Sequence, residues 1–182
     1  MLVAKHVAVA REMGRLFTRT AITKHYWAIV HGHVPARITS INAPLGKDEL
    51  SAVAIKDRVR HDGAPARTEI EVLATFDHHG APLSWLLVTP ATGRKHQIRI
   101  HLAHIGHPVV GDKIYGADER VYLRFVSGTL TDADRRALIV ANHALHARRL
   151  AFRWRDREYA FTAEPADEWN AWRGGMLTSC RT

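Results

Sequence analysis

The run T-G-R-K-H-Q-I-R-I-H-L-A-H-I-G-H-P, from Thr92 to Pro108, gathers two arginines, a lysine and four histidines around a regular set of apolar residues. Arg99 is the sharpest of them. Its neighbours along a helix face, Ile98 and Leu102, are apolar, so a guanidinium among them needs a carboxylate or a phosphate, because an unpaired buried charge is very costly. Facing solvent or RNA is the other reading of the same pattern. His101 and His104 lie three apart and on a helix could share a metal ion. No H-E-x-x-H, no cysteine pair and no carboxylate accompanies them, so no metal is expected. Thr92-Gly93-Arg94 either offers backbone N–H groups and a guanidinium to a phosphate or is an ordinary loop into a helix. Tyr26 is equally two-sided: an aromatic in a strand is usually core, yet its phenol could serve a pocket. The sequence has no G-x-S-x-G, G-x-G-x-x-G or Walker A loop, so neither a nucleophile elbow nor a nucleotide-cofactor site is indicated.

These residues need elements to hold them. Ile98, Leu102 and Ile105 recur at helical spacing, and Gly106 stands where a helix would end before Pro108, which predicts a helix over about 96–105. K-H-Y-W-A-I-V-H-G (Lys24–Gly32) alternates Tyr26, Ala28 and Val30 with Trp27 and Ile29 and reads as a strand. In R-T-E-I-E-V-L-A-T-F (Arg67–Phe76), Ile70, Val72, Ala74 and Phe76 share one face, with Glu69 and Glu71 on the other. The turn D-H-H-G-A-P then leads to S-W-L-L-V-T-P (Ser84–Pro90), and a hairpin is expected. Val9, Met13, Leu16 and Phe17 mark an earlier helix, preceded by Leu2–Ala4 as the end of a strand. Residues 33–66 read as loop with one or two short strands. Thr131 with Asp134 resembles a capping box for a helix through Ala137, Leu138 and Val140. A closing hairpin turns at Arg155–Glu158, and Glu164 to Trp172 reads as a terminal helix. The class is α+β with mostly antiparallel pairing, in one domain over 1–182.

The totals narrow the function. An apolar share of 46% excludes wholesale disorder, and 26 lysines and arginines against 18 acids give +8. So basic a domain usually meets a polyanion, since each phosphate it neutralises releases counterions. The sole cysteine, Cys180, cannot form a disulfide within the chain, which suits a reducing compartment. No apolar run approaches the roughly 18 residues of a membrane helix, and the start M-L-V-A-K-H is unlike a signal peptide. A soluble cytoplasmic protein is expected.

G-R-K-H-Q-I-R-I-H-L, followed by G-H-P-V-V-G-D-K-I-Y-G (Gly106–Gly116), resembles a signature of the RluA-type RNA pseudouridine synthases. K-H-Y-W-A-I-V-H-G is similar to that family's K-x-Y-x-A-x-V-x-G segment, A-R-T-E-I-E-V-L to its strand after the central loop, and H-A-L-H-A-R-R-L-A-F to its near-terminal strand. The likeness runs from Met1 to about Trp169. It implies an isomerase that turns uridine in ribosomal or transfer RNA into pseudouridine without cofactor or metal, on a nucleotide extruded into a pocket. It implies Tyr26 and Arg99 as catalytic residues, with Ile98 as an apolar wall beside them. Arg94, His96, Gln97, Ile98 and His101 are expected to face the RNA or the base. Loop 43–66 and the helix over 131–141 are the expected places for substrate choice.

The resemblance also implies an aspartate paired with Arg99, in a His-Arg-Leu-Asp segment that these 182 residues do not contain. Aligned without gaps through Tyr26, that segment falls before Met1, and L-V-A-K (Leu2–Lys5) matches the family's residues immediately after it. Asp112 belongs to a different segment, while Asp48, Asp57 and Asp62 lie in the variable loop, so none is taken as a substitute. Arg99 is thus expected to lack its partner here, in the C-terminal larger part of a catalytic domain. Two readings remain: a synthase whose aspartate lies upstream, or a catalytically inactive RNA-binding module or truncated remnant.

Overall fold

The computed structural model describes residues 3–18, 21–165, 169 and 172. A helix, α1 (Val7–Thr18), is followed by β1 (Ile22–His31) and three short strands, β2 (Ser40–Asn42), β3 (Leu45–Lys47) and β4 (Asp57–Val59). The long hairpin of β5 (Arg67–His78) and β6 (Ala81–Pro90) leads into α2 (Gln97–His104), α3 (Arg120–Val126) and α4 (Asp132–Leu138). The closing hairpin is β7 (Leu145–Trp154) with β8 (Arg157–Thr162). Six strands form one sheet in the order β2-β5-β6-β1-β7-β8, every pair antiparallel, and β3 pairs with β4 separately. This is the α+β class expected from the sequence.

Position in the sheet explains the residue patterns. β5 lies next to the edge and alternates, with Thr68 and Ile70 buried and Glu69 and Glu71 exposed. β6 and β1 are central, and Leu83–Leu86 and Ala28–Val30 are buried without a break, as strands covered on both faces must be. The β5–β6 turn is His79–Gly80, both at positive φ (50° and 81°). That pair of left-handed residues lets a two-residue turn follow the twist of its strands, and Gly80 adopts it without a Cβ penalty.

The helix α2 carries the candidate site and is pressed between two apolar clusters. Ile98 and Leu102 join Ala28, Val30, Ile70, Leu86 and Val88 in the main core against the sheet. Ile100 points instead into a second cluster with Leu45, Val53, Ala66, Ile114 and Tyr115. The spacing of Ile98, Leu102 and Ile105 described only the first of these faces. Folding loop 43–66 back over the helix creates the second.

Several expectations are corrected. Val3 and Ala4 belong to no strand. Residues 33–66 hold three short strands rather than one or two. The capping box at Thr131 and Asp134 is present, but α4 stops at Leu138, ahead of Val140, where Ile139 takes φ 65°. The terminal helix expected over 164–172 lies largely outside the described residues.

Candidate active site around Arg99 and Tyr26

Two hydrogen-bond networks hold α2. In the first, Gln97 spends its whole amide: Oε1 accepts from Thr92 Oγ1 (2.7 Å) and the Arg94 N–H (3.0 Å), and Nε2 donates to Arg67 O (2.9 Å) and Thr68 Oγ1 (3.0 Å). His101 is fully enclosed, with Nε2 2.9 Å from Ala43 O and Nδ1 2.8 Å from Thr68 Oγ1. A carbonyl only accepts, so Nε2 carries the proton and Nδ1 accepts from the threonine hydroxyl. Burial pushes the His101 pKa down and keeps the ring neutral. The expectation that Gln97 and His101 face RNA is therefore corrected: every polar atom of both side chains is committed to the fold. His101 cannot share a metal with His104 either, and the described residues hold no group of three histidines, cysteines or carboxylates suited to a metal.

The second network centres on Arg99. Its Nε donates to Asp112 Oδ2 at 2.6 Å and its Nη2 to Asp112 Oδ1 at 2.7 Å, the bidentate fork that suits guanidinium and carboxylate. The Arg99 side chain is 13% exposed and that of Asp112 is 0%. Arg99 thus has its carboxylate within this chain, and the expectation that it lacks one is overturned. Asp112 Oδ1 also accepts the N–H groups of Ile114 (2.9 Å) and Tyr115 (3.0 Å). Burial works against ionising Asp112, but the Arg99 bonds and these backbone donors outweigh it and hold the carboxyl below its usual range. The turn that delivers Asp112 needs Gly111, at φ 77°, where a Cβ would lie 2.5 Å from Asn142 O.

Under the guanidinium lies the Tyr115 ring, 5.0 Å from Arg99 Cζ. The Tyr115 hydroxyl meets His96 Nδ1 at 3.0 Å and accepts the Asp57 N–H at 3.3 Å. Burial pushes this phenol up to about 12. His96 precedes α2 in a left-handed conformation (φ 54°), and burial, with help from Arg99 and Lys95, lowers its pKa. Arg94 is exposed and donates to Pro65 O at 3.2 Å. Ile98, expected as a pocket wall, is 7% exposed and faces the main core.

Tyr26 sits elsewhere on the sheet. It is half-buried beside a register shift in β1, opposite Val88 and Ala147. It lines a groove of about 420 Å³ with Lys24, Arg148, Arg149, Leu150 and Phe161 among others. Burial raises the Tyr26 phenol and lowers the Lys24 ammonium. Lys24 Nζ reaches Thr92 O at 3.5 Å, so the groove extends to the loop that opens α2. Among the described residues no hydrogen bond joins Tyr26 to Arg99, which is the third residue of α2. Sequence reasoning missed Asp112 and Tyr115 as the partners of Arg99. The signal was present in the G-D-K-I-Y-G segment behind Gly106-His107-Pro108.

Comparison with known proteins places this arrangement. The family model for RNA pseudouridylate synthase matches residues 1–104. Ribosomal large subunit pseudouridine synthase C of Vibrio cholerae is 36% identical over 116 residues, 64% of this chain and 35% of its own length. The dual-specificity RNA pseudouridine synthase RluA of Haemophilus influenzae is 38% identical over 111 residues, 59% of this chain and 48% of its own. This chain therefore spans less than half the length of either of these curated relatives. The solved structure of human RNA pseudouridylate synthase domain containing 1 superposes with a TM-score of 0.71 at 27% identity, covering 90% of this chain and 62% of that one. The motifs on β1 and α2, the antiparallel sheet and these matches agree, and the chain belongs to the RNA pseudouridylate synthase family.

Proposed function

We propose that this chain is the Arg99- and Tyr26-bearing part of an RNA pseudouridine synthase acting on uridines of ribosomal or transfer RNA in the cytoplasm. The observation that carries the reading is Arg99: a nearly buried guanidinium whose fork with Asp112 spends Nε and one edge of Nη2, while Nη1 has no partner among the described residues. In the reaction the N1–C1′ bond breaks, a C5–C1′ bond forms, the C5 proton leaves and N1 gains one. The balance is an isomerisation and calls for no cofactor. A carboxylate that assists at C1′ has to stay ionised, and the unspent edge of Arg99 would hold one so. Asp112 does not serve, since its side chain is closed off by Arg99 and two backbone donors. The Tyr26 phenol, which burial pushes further up, is neutral at pH 7, which suits packing on a base at the Lys24 groove. The +8 charge supplies the attraction for RNA.

The test is uridine isomerisation, read by proton release from C5, with this chain alone and with a His-Arg-Leu-Asp segment supplied ahead of Leu2. We expect turnover in the second form and its loss in Arg99→Ala; full activity in Arg99→Ala would sink the assignment. One observation favours a second reading, an RNA-binding module without chemistry. Because Asp112 already pairs Arg99, the fold alone gives a reason to keep that arginine. That reading requires salt-dependent RNA binding and no isomerisation in either form.

A further inference from the structure

We propose that Asp112 is a positioning residue: it fixes which edge of Arg99 is presented to a second anion at the candidate site. The inference rests on the synthase reading for its consequence, but its geometry stands apart from it. A guanidinium has five N–H donors in a rigid fork. Asp112 takes the Nε–H and one Nη2–H, which leaves the Nη1 side as the edge open to another carboxylate or phosphate. Asp112 does not depend on Arg99 for its own place. The backbone N–H groups of Ile114 and Tyr115 hold Oδ1, and Gly116 lets the turn close, since a Cβ there would lie 2.6 Å from Asp112 O.

The face of the guanidinium is bounded as well. Tyr115 lies beneath it at 5.0 Å and is itself tied to His96 and to the Asp57 N–H. Edge and face together allow one orientation of the plane. The charge balance also favours a further anion, because Lys113, beside the fork in sequence, donates to Ala141 O and pairs with no carboxylate among the described residues. Lys113 and His143 both feel Arg99 and Asp112, and burial lowers the pKa of each. An arriving anion therefore meets one arginine edge at one angle, without a rotamer search. Misplacing such a group by about an ångström can cost on the order of a hundredfold in rate.

Asp112→Asn tests this. Asn keeps Oδ1 for the two backbone donors but turns an NH₂ toward the Arg99 Nε–H, so the turn survives and the fork does not. Two readouts are needed: exchange of the Arg99 Nε–H by side-chain NMR, and single-turnover isomerisation with RNA affinity measured alongside, in the form supplied with the His-Arg-Leu-Asp segment. We expect the Nε–H to exchange at least about tenfold faster in the variant, and isomerisation to fall by about a hundredfold with RNA affinity unchanged. Tyr115→Phe, which keeps the ring, should lose far less. Unchanged Nε–H exchange, or a variant as fast as its parent, overturns the proposal. If the parent form itself never isomerises uridine, the synthase reading fails, and the exchange measurement still decides whether Asp112 fixes Arg99. Should Asn unfold the protein, the unmodified chain decides: an Arg99 Nε–H exchanging as fast as that of exposed Arg153 would also overturn it.

Discussion

The eight-residue helix α2 carries two polar networks that differ in one respect. The Gln97–His101–Thr68 set faces the sheet and uses every donor and acceptor it has. The Arg99–Asp112–Tyr115 set lies under the returning loop and leaves part of its guanidinium unspent. Both are nearly dry, so burial does not separate them. A closed network makes a scaffold; a network with a donor to spare makes a site. The same contrast divides the residues that the family resemblance grouped together, since Gln97 and His101 fall on the scaffold side and Arg99 on the other.

The contrast breaks most sharply at Arg99. Arg99→Lys keeps the charge but cannot reproduce the fork, and we expect isomerisation to fall by about a hundredfold with RNA affinity nearly unchanged. If turnover survived, the spare guanidinium edge would have no role. On the scaffold side, His101→Leu fills the space but strands Ala43 O and the Thr68 hydroxyl. Denaturant unfolding should show a loss of about 3 kcal/mol, with RNA affinity of the folded protein unaltered. A selective loss of RNA binding would return His101 to the site.

The pH dependence sharpens the same point. Burial lowers the folded pKa of His31, His96, His101 and His143. The unfolded chain then takes up protons first as pH drops below about 6.5, so the stability held above that value is lost on acidification. Melting curves should move down between pH 7 and pH 5, and His101→Leu should flatten the slope by at most about 1.4 kcal/mol per pH unit. The smallest effect belongs to Lys95, half-exposed in its pair with Asp57 (2.9 Å). Lys95→Ala should cost no more than about 1 kcal/mol, and less in high salt.

Local chemistry made part of this molecule legible in advance. The alternation in β1 and β5, the His79–Gly80 turn, the capping box at Thr131 and the apolar row of Ile98 and Leu102 each depend on residues a few positions apart. The resemblance located Arg99 and Tyr26 by the same kind of short-range signal. Tertiary structure decided the rest, because it joins groups whose separation no local pattern encodes. His101 is a scaffold residue because loop 43–66 folds back to offer Ala43 O. Ile100 is core because that loop builds a second apolar cluster over α2. Arg99 has a partner because the turn at Gly111 brings Asp112 to its Nε–Nη2 edge. Sequence alone determined that a buried guanidinium here needs an anion, since the cost of an unpaired charge is general. Which carboxylate answers it, and which edge remains free, depended on how distant segments pack.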